Sequence, residues 1–258
     1  MISGISREVS PMNKDLDPKF AYDRWHERID SSAADNNPMA FPWYRTAFSG
    51  IQNNLRGDLL ELGCGRGEFA VWLACAVPNI RVTGVDFSFS AITIAQRRIA
   101  NASKAVHFIT ADVQALAFPD NTFDWIVSCE CLEHVPQPQM MAREMFRVLK
   151  RGGRFCLTTE NYLNGMLLAW LQSCVTGRPF NSGSGVQPIE QFFVFPQVKG
   201  YLKRSGLVVE RTESTHYQWL LLPGVDPARL STFQFKKRWA RTLAKPFGRH
   251  FSFFGYKP

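Results

Sequence analysis

Hydrophobic and polar positions follow two different periods along most of the chain. From residue 58 onward, short apolar runs bounded by glycine, proline, asparagine or aspartate predict buried strands. Between them, apolar residues return every three or four positions, which is the spacing of one helix face. Strands are predicted at 58–62, 80–86, 105–110, 123–128, 153–159 and 207–212, with a last strand near 215–221. Helices are predicted at 67–76, 89–100, 137–150 and 190–205.

This alternation of strands and helices indicates an α/β fold with a mostly parallel, seven-stranded sheet and helices on both faces. The chain divides into a helical segment at 1–50, a central domain at 51–222 and a C-terminal segment at 223–258. Within the central domain, residues 161–189 form a long insertion after the fifth strand. Short amphipathic helices rich in aromatic residues are expected near 20–26 and 39–45.

A glycine-rich turn follows the first predicted strand, and the rest of the chain is organised around it. The order of strand, tight turn and helix places backbone N–H groups at the carboxyl end of a sheet, where a ligand can bind. Asp86 ends the second predicted strand, about 20 residues farther on, where such sheets offer a carboxylate to a ribose diol. The turn and its flanks read Glu61, Leu62, Gly63, Cys64, Gly65, Arg66, Gly67 and Glu68.

The spacing of these glycines distinguishes between two kinds of cofactor. A dinucleotide-binding turn has the pattern Gly-x-Gly-x-x-Gly, whereas the third glycine here, Gly67, comes one residue early and Glu68 takes its place. A carboxylate at that position would repel a pyrophosphate, which disfavours NAD. The pattern Gly-x-Gly-x-Gly after a strand ending in Glu61 instead resembles the first motif of the class I S-adenosylmethionine-dependent methyltransferases.

Three later stretches strengthen this resemblance. Residues 110–113 resemble the segment that carries an acid to the adenine amino group, residues 121–135 the fourth strand and its loop, and residues 144–155 the next helix, turn and strand. The match covers about 57–160, in the family's order and intervals, and is closest to the group that includes ubiquinone, menaquinone and natural-product methyltransferases. The resemblance implies a Rossmann-like fold, with S-adenosylmethionine as cofactor and S-adenosylhomocysteine as product.

The resemblance also implies how the cofactor is held. The glycines make room for it, Asp86 binds the ribose hydroxyls, Asp112 with the Val113 N–H reads the adenine, and Phe87 packs on the adenine face. Glu61 either supports the turn or meets the ammonium group. The residues before the first strand lie over the cofactor as a lid or merely cover the sheet edge, and in a lid Arg45 would pair with the methionyl carboxylate. The predicted cofactor-binding set is Arg45, Glu61, Gly63, Cys64, Gly65, Gly67, Asp86, Phe87, Asp112, Val113 and Cys129.

Candidate catalytic residues lie on the loop after the fourth strand. They are Glu130, Glu133 and His134. The imidazole of His134 could deprotonate an acceptor because it titrates near neutrality, although in this family the same Leu-Glu-His-Val sequence also occurs as a structural loop. No paired cysteines or other ligand spacing predicts a metal site.

The long insertion is expected to choose the substrate, because lids are built at the carboxyl edge of such sheets. Its Met, Trp and Phe content predicts an apolar pocket, with core packing or a dimer face as the alternative.

The favoured function is methyl transfer to a small apolar or amphipathic acceptor, such as a lipid, a quinone-like compound or a natural-product precursor. A nucleic-acid methyltransferase is one alternative, encouraged by a net charge of +8, although no nucleic-acid partner is expected. A binding protein without turnover is another.

The C-terminal segment carries aromatic residues and cations on opposite sides of a predicted helix. Phe235, Trp239 and Leu243 share one face, and the cations lie opposite. An ordinary surface helix packed on the domain is the favoured interpretation, and peripheral membrane contact through 229–247 is the alternative.

The six cysteines are expected to be reduced, and no signal peptide or spanning segment is found, so a cytoplasmic location is predicted. A homodimer is left open.

Overall fold

A computed structural model of the chain describes residues 18–28, 37–99, 106–161, 175, 187–189, 191, 193–215, 217–218, 232–233 and 238–258. Its helices are α1 (Pro18–Arg28), α2 (Pro42–Ile51), α3 (Glu68–Ala76), α4 (Phe89–Ile99), α5 (Pro138–Val148), α6 (Phe195–Arg204) and α7 (Arg238–Ala244). Its strands are β1 (Gly57–Leu62), β2 (Ile80–Asp86), β3 (Val106–Thr110), β4 (Phe123–Cys129), β5 (Leu149–Glu160), β6 (Val208–Thr215), β7 (Tyr217–Gln218), β8 (Thr232–Phe233) and β9 (His250–Tyr256).

Seven of the strands form one mixed sheet in the order β3-β2-β1-β4-β5-β9-β6. Strands β1 to β5 pair in parallel, and β9 is antiparallel to both β5 and β6. The predicted α/β fold with a mostly parallel, seven-stranded sheet is confirmed. The strand order reverses between β1 and β4, and a crevice for ligands opens at the carboxyl ends of the strands at such a point.

Helices cover both faces of the sheet, and each face has its own apolar core. On one face α5 and α6 pack through residues such as Met141, Met145 and Leu202. On the other face α2, α3 and α4 pack through residues such as Ile51, Phe69 and Ile92. The strands in the middle of the sheet are therefore apolar on both sides, which explains why they read as continuous hydrophobic runs rather than alternating ones.

The prediction of the last sheet strand near 215–221 is wrong. Tyr217–Gln218 pairs only with Thr232–Phe233, in a separate two-stranded sheet, and the seventh strand of the main sheet is His250–Tyr256. The main sheet thus extends past the expected boundary at residue 222 into the C-terminal segment. The aromatic residues of that segment are core residues, since Phe251, Phe253 and Phe254 are buried.

The helix before β9 does not pack as the favoured interpretation expected. In α7 and the turn after it, Trp239, Leu243 and Phe247 are 64%, 72% and 58% exposed, and they recur every fourth residue along one face. Peripheral membrane contact through 229–247 stays a prediction. None of the described helices combines the length and hydropathy that a bilayer crossing would need.

Parts of the sequence-based prediction lie outside the described residues. These are the expected insertion helix and turn within 161–189, together with Phe235 and Cys174. The other five cysteines are free thiols: Cys64, Cys75, Cys129, Cys131 and Cys156.

Candidate functional site

A cavity of about 750 Å³ opens at the point where the strand order reverses. It is walled by the segments that leave the carboxyl ends of β1, β2, β3 and β4, and by α1 and the start of α2. Eight of the predicted cofactor residues line it: Gly63, Cys64, Gly65, Asp86, Phe87, Asp112, Val113 and Cys129. Gly67, at the N-cap of α3, is not part of the wall. Sequence motifs as far apart as Gly63 and Cys129 are thereby brought to one crevice.

The glycine turn is held in place by Asp86. One carboxylate oxygen of Asp86 accepts a hydrogen bond from the Gly65 N–H at 2.9 Å, and the other accepts one from the Ser88 N–H at 3.0 Å. Gly63 and Gly65 have φ of +68° and +53°, in the left-handed region that glycine adopts without strain. A Cβ on Gly63 would also collide with the side chain of Cys131. The turn therefore presents a bare backbone to the cavity.

Asp86 is 8% exposed, and burial raises the pKa of its carboxyl while the backbone N–H groups oppose that shift. The backbone N–H groups of Gly65, Phe87 and Ser88 surround this carboxyl. Asp112 lies on the rim, where it accepts hydrogen bonds from the backbone and side chain of Gln114. The two carboxylates follow neighbouring strands, β2 and β3, so they can contact different parts of one elongated polar ligand.

Glu61 lies behind the glycine turn and is not part of the cavity wall. Burial, followed by the charges of Glu68 and Asp86, raises the pKa of its carboxyl well above the usual value. The Ala70 N–H, in the first turn of α3, donates to this carboxyl. Its Oε2 atom has no hydrogen-bond partner among the described residues. The observed contact is that of a group supporting the turn and the start of α3.

Helix α1 closes one side of the cavity with Tyr22, Trp25 and His26. Asp23 fixes this helix by accepting hydrogen bonds from the Ser88 hydroxyl at 2.6 Å and the Ser90 N–H at 3.0 Å. Burial lowers the pKa of His26 to about 4, so this imidazole is neutral near pH 7. Helix α1 is therefore attached to the first turn of α4, and its role as a lid over the cofactor stays a prediction.

Arg45 does not take the predicted position. Its guanidinium donates to the Met39 and Ala40 carbonyls, both at 2.7 Å, and it is exposed outside the cavity wall. Arg45 is at the fourth position of α2, where its side chain reaches back to the carbonyls before the helix. The cationic side chains on the wall, among the residues that the structure describes, are Lys19 and Arg66. Arg66 donates to the His26 carbonyl at 2.5 Å and so joins the glycine turn to α1.

Glu130 is the candidate catalytic carboxylate that reaches the cavity. Its two oxygens are held by the Thr158 hydroxyl at 2.7 Å and by His250 Nδ1 at 2.9 Å. Burial acts to raise its pKa, but the imidazole and the hydroxyl outweigh this and leave the pKa below the usual value. Its φ of +51° is uncommon for a residue with a side chain. Residues with a strained backbone conformation of this kind are common at functional sites.

Glu133 and His134 occupy different positions. Glu133 is buried beneath the loop, accepts a hydrogen bond from the Thr159 hydroxyl at 2.8 Å and does not line the cavity, contrary to the expectation of a catalytic role. Burial raises its pKa well above the usual value, with Glu130 adding to the effect. His134 lines the cavity and donates from Nδ1 to the Ile189 carbonyl at 2.7 Å. Burial lowers its pKa, so its Nε2 is a neutral acceptor.

One group of side chains has a spacing that would fit a divalent metal ion, although the sequence predicts no metal site. Donor atoms of Glu130, Glu160 and His250 lie within 4.8 Å of one another. Basic side chains already face these carboxylates, since Arg249 contacts Glu160 at 3.7 Å and the Nδ1 atom of His250 lies 2.9 Å from Glu130. The cluster is therefore explained by pairing between its own side chains.

Several wall residues were not named as site residues from the sequence. The aromatic wall residues belong to the predicted helices near 20–26 and 39–45. The high density of aromatic residues in these two short segments is the sequence feature that could have identified them. His250 had no such signal, because it lies 120 residues from its partner Glu130 on a strand that was not predicted. The unnamed wall residues include Tyr22, Trp25, His26, Phe41, Trp43, Tyr44 and Arg66.

Comparisons with known proteins agree with this architecture. Residues 60–157 match a family model described as a methyltransferase domain. The chain is 32% identical over 155 residues to a malonyl-[acyl-carrier protein] O-methyltransferase of Paenibacillus sp., with 55% of each chain covered. It is 33% identical over 106 residues to a demethylmenaquinone methyltransferase of Listeria monocytogenes, covering 40% of this chain and 45% of the relative. The chain thus spans about half the length of the curated relatives it matches.

A solved structure is similar over most of the chain. It is a phosphoethanolamine N-methyltransferase 2 of Haemonchus contortus in complex with S-adenosyl-L-methionine, with a TM-score of 0.66 and 17% sequence identity. The match covers 94% of this chain and 60% of that chain. At this identity the likeness shows the fold alone.

Proposed function

Because the chain carries a domain of the class I S-adenosylmethionine-dependent methyltransferases, we propose that it transfers a methyl group from this cofactor to a small apolar or amphipathic acceptor. The observation that carries the proposal is the cavity at the strand-order reversal, where a bare glycine turn and the carboxylates of Asp86 and Asp112 meet. The position, the donors and the acceptors suit a nucleoside with a charged tail.

The residues present fit this cofactor. Gly63 puts no side chain between the turn and the cavity, Asp86 retains acceptor capacity for the sugar hydroxyls, and Asp112 is placed one strand farther for the base. Phe87 lines the same wall and packs edge-on against Tyr22, with ring centroids 4.9 Å apart. We assign the sugar to Asp86, the base to Asp112 and Val113, and the packing of the base to Phe87.

When bound, S-adenosylmethionine supplies an electrophilic methyl carbon on a sulfonium, and the acceptor displaces it in line. The protein then has to align the two reactants and keep out water. Tyr22 and Trp25 on α1 cover the cavity, and Tyr22 is joined to Ile189 by a hydrogen bond of 3.1 Å. The neutral Nε2 of His134 can take a proton from an acceptor that carries one, which makes His134 the favoured base in this proposal.

Calorimetric titration with S-adenosylhomocysteine tests cofactor binding. Asp112→Ala should weaken binding about tenfold, because a charged group that pairs with the base is lost. Asp58→Ala is the control, since Asp58 lies at the start of β1, at the opposite end of the sheet, and pairs with Arg81. Failure of the unmodified protein to bind the compound, or equal affinities in all three proteins, would contradict the assignment.

Incubation with methyl-labelled S-adenosylmethionine and fractionated cell extract tests the transfer itself. The expected result is a labelled small molecule that partitions into organic solvent and is identified by mass spectrometry. Label found only in RNA would support the nucleic-acid alternative. Tight cofactor binding without label in any fraction would favour a binding protein without turnover.

A further inference from the structure

The cavity continues past the glycine turn towards the far side of the sheet. We call the part lined by Phe41, Trp43, Tyr44, Cys129 and Glu130 the β4 end. Asp86 follows β2, and β1 lies between β2 and β4. Neighbouring strands are about 4.8 Å apart, so the β4 end lies about 10 Å from the strand that carries Asp86. In the proposed function, the nucleoside is held at β2 and β3 and its charged tail follows the glycine turn after β1 as far as Cys129, which leaves the part of the β4 end beside Glu130 and the aromatic residues for the acceptor.

Three aromatic rings from α2 and the residue before it form one wall of the β4 end. The rings of Phe41 and Trp43 are stacked with centroids 5.0 Å apart, and Tyr44 meets Phe41 edge-on at 6.2 Å. Burial and the charges of nearby carboxyl groups, Glu61 and Glu130 among them, raise the pKa of Tyr44, so its hydroxyl stays protonated. The wall is therefore aromatic and carries no charge of its own.

A carboxylate stands beside these rings. The Trp43 ring lies 5.2 Å from the ring of His250, which holds Glu130, so Glu130 and the aromatic wall border the same space. Thr158 and His250 stabilise the ionised form of Glu130, whose pKa is below the usual value despite burial. Each oxygen receives one described hydrogen bond, which leaves acceptor capacity for a ligand. The cations on the described wall, Lys19 and Arg66, come from α1 and the glycine turn instead.

We propose that the β4 end is a subsite for a cationic nitrogen, so that the acceptor is an amphipathic amine that binds in its ammonium form. The neutral Nε2 of His134 would take one proton from the bound ammonium, because only the uncharged amine can accept a methyl group. An anionic carboxylate next to aromatic rings attracts an ammonium group by its charge and by the ring quadrupoles. The same arrangement disfavours an acceptor with a carboxylate or phosphate at this end. The inference rests on the proposed function, because it assumes that the cofactor fills the β2 and β3 side.

The strain at Glu130 supports a role beyond packing. Its left-handed backbone is maintained by the hydrogen bond from its N–H to the Thr158 carbonyl at 3.1 Å. Partners from β5 and β9 thus fix both the backbone and the side chain of one residue on the cavity wall. An ordinary loop carboxylate would gain nothing from this arrangement, whereas a ligand-binding one gains a fixed direction.

The test uses two probes of the same shape on the protein saturated with S-adenosylhomocysteine. Choline carries a quaternary ammonium, and 3,3-dimethyl-1-butanol replaces its nitrogen with carbon. Calorimetry in buffer containing EDTA is expected to show saturable choline binding at least about tenfold tighter than that of the neutral alcohol. Equal affinities, or no saturable choline binding, would overturn the inference.

Variants assign the effect to the β4 end. Glu130→Gln should weaken choline binding about tenfold while leaving the affinity for the neutral alcohol and for S-adenosylhomocysteine within about twofold. Glu213→Gln makes the same change in net charge on β6, where the side chain pairs with Arg211, and should leave choline binding unchanged. Trp43→Leu, with Glu130 intact, provides a second variant and should also weaken choline binding. Unchanged choline affinity in folded Glu130→Gln protein would refute the subsite.

These outcomes separate the inference from the proposed function. Failure of S-adenosylhomocysteine to bind, seen in the first titration, would count against the methyltransferase proposal. Normal binding of that compound with no preference for choline would count against the amine subsite alone.

Discussion

At the scale of single residues, the buried carboxyl groups show how one side chain can support both the fold and the candidate site. Asp86 holds the backbone on two sides of the cavity, and Glu61 holds the start of α3. The sequence identified both, because each acid ends or nearly ends an apolar run. It could not separate support from ligand contact, since that distinction depends on the direction of each carboxylate oxygen.

The first prediction concerns the pH dependence of stability. Burial raises the pKa of Glu61 in the folded state, so the folded protein holds its proton more tightly than the unfolded chain. The contribution of Glu61 to stability is therefore full below the unfolded pKa, about 4.5, and declines as the pH rises above it. Glu61→Gln removes this decline, and its melting temperature relative to the unmodified protein should increase between pH 4.5 and pH 7.

Thermal unfolding monitored by circular dichroism at several pH values provides the measurement. Asp112→Asn is the control, because Asp112 is on the rim and its variant should show the pH slope of the unmodified protein. If the melting temperatures of Glu61→Gln and the unmodified protein changed with pH in parallel, the carboxyl of Glu61 would be ionised in the folded protein, and the prediction would be wrong. If the cofactor's ammonium group pairs with Glu61, S-adenosylhomocysteine should also bind more tightly as the pH rises.

At the scale of elements, α5 organises the loop between β3 and β4. Arg147 donates to Glu144, to the Leu116 and Phe118 carbonyls, and to Asp120. Glu144 in turn accepts from the Leu116 N–H at 2.7 Å. The loop buries Val113 and Leu116 in the core, and these charge-assisted hydrogen bonds fix the path of the backbone around them.

Removing this arginine should destabilise the domain. Arg147→Ala leaves two loop carbonyls and Glu144 without their partner, so we expect the free energy of unfolding to fall by about 3 kcal/mol. In a domain of this size, that corresponds to a melting temperature lower by roughly 5–10 °C.

Arg143→Ala is the matched control on the same helix. Arg143 is an exposed residue whose side chain donates to the Met140 sulfur at 3.7 Å, so its loss should change stability by less than about 0.5 kcal/mol. Urea unfolding of both variants measures the difference. Equal stabilities of the two variants would show that the hydrogen bonds of Arg147 add little to the fold.

The whole molecule depends on β9, which joins two parts of the sheet that are distant in sequence. β9 pairs with β5 on one side and β6 on the other, and its Phe251, Phe253 and Phe254 are buried. Without it, β6 would have no partner in the main sheet. The C-terminal segment is thus part of the fold that holds the site, and it also supplies His250 to Glu130.

A chain ending at residue 222 should therefore fail to fold cooperatively. A milder version of the same test compares two substitutions in the C-terminal segment. Phe253→Ala should lower the free energy of unfolding by about 3–5 kcal/mol, because it leaves a cavity in the core. Phe247→Ala removes an equally large ring that is 58% exposed and should change stability by less than about 0.5 kcal/mol. Cooperative unfolding of the shortened chain would contradict the role given to β9.

The sequence by itself determined the features that are local in the chain. A strand followed by a glycine turn and a helix, and an acid at the end of a strand, are encoded within a few residues, and parallel strands bring their carboxyl ends together by topology. The parallel sheet, the crevice and the positions of Asp86, Asp112 and Glu130 followed from this.

Only the tertiary structure decided which distant segments meet. The pairing of β9 between β5 and β6, the contact of His250 with Glu130, the turn of Arg45 away from the cavity and the burial of Glu133 depend on packing between residues far apart in sequence. The local pattern of apolar and polar residues does not specify such distant partners. Their geometry is selected by the burial of apolar surface and the pairing of polar groups across the whole fold.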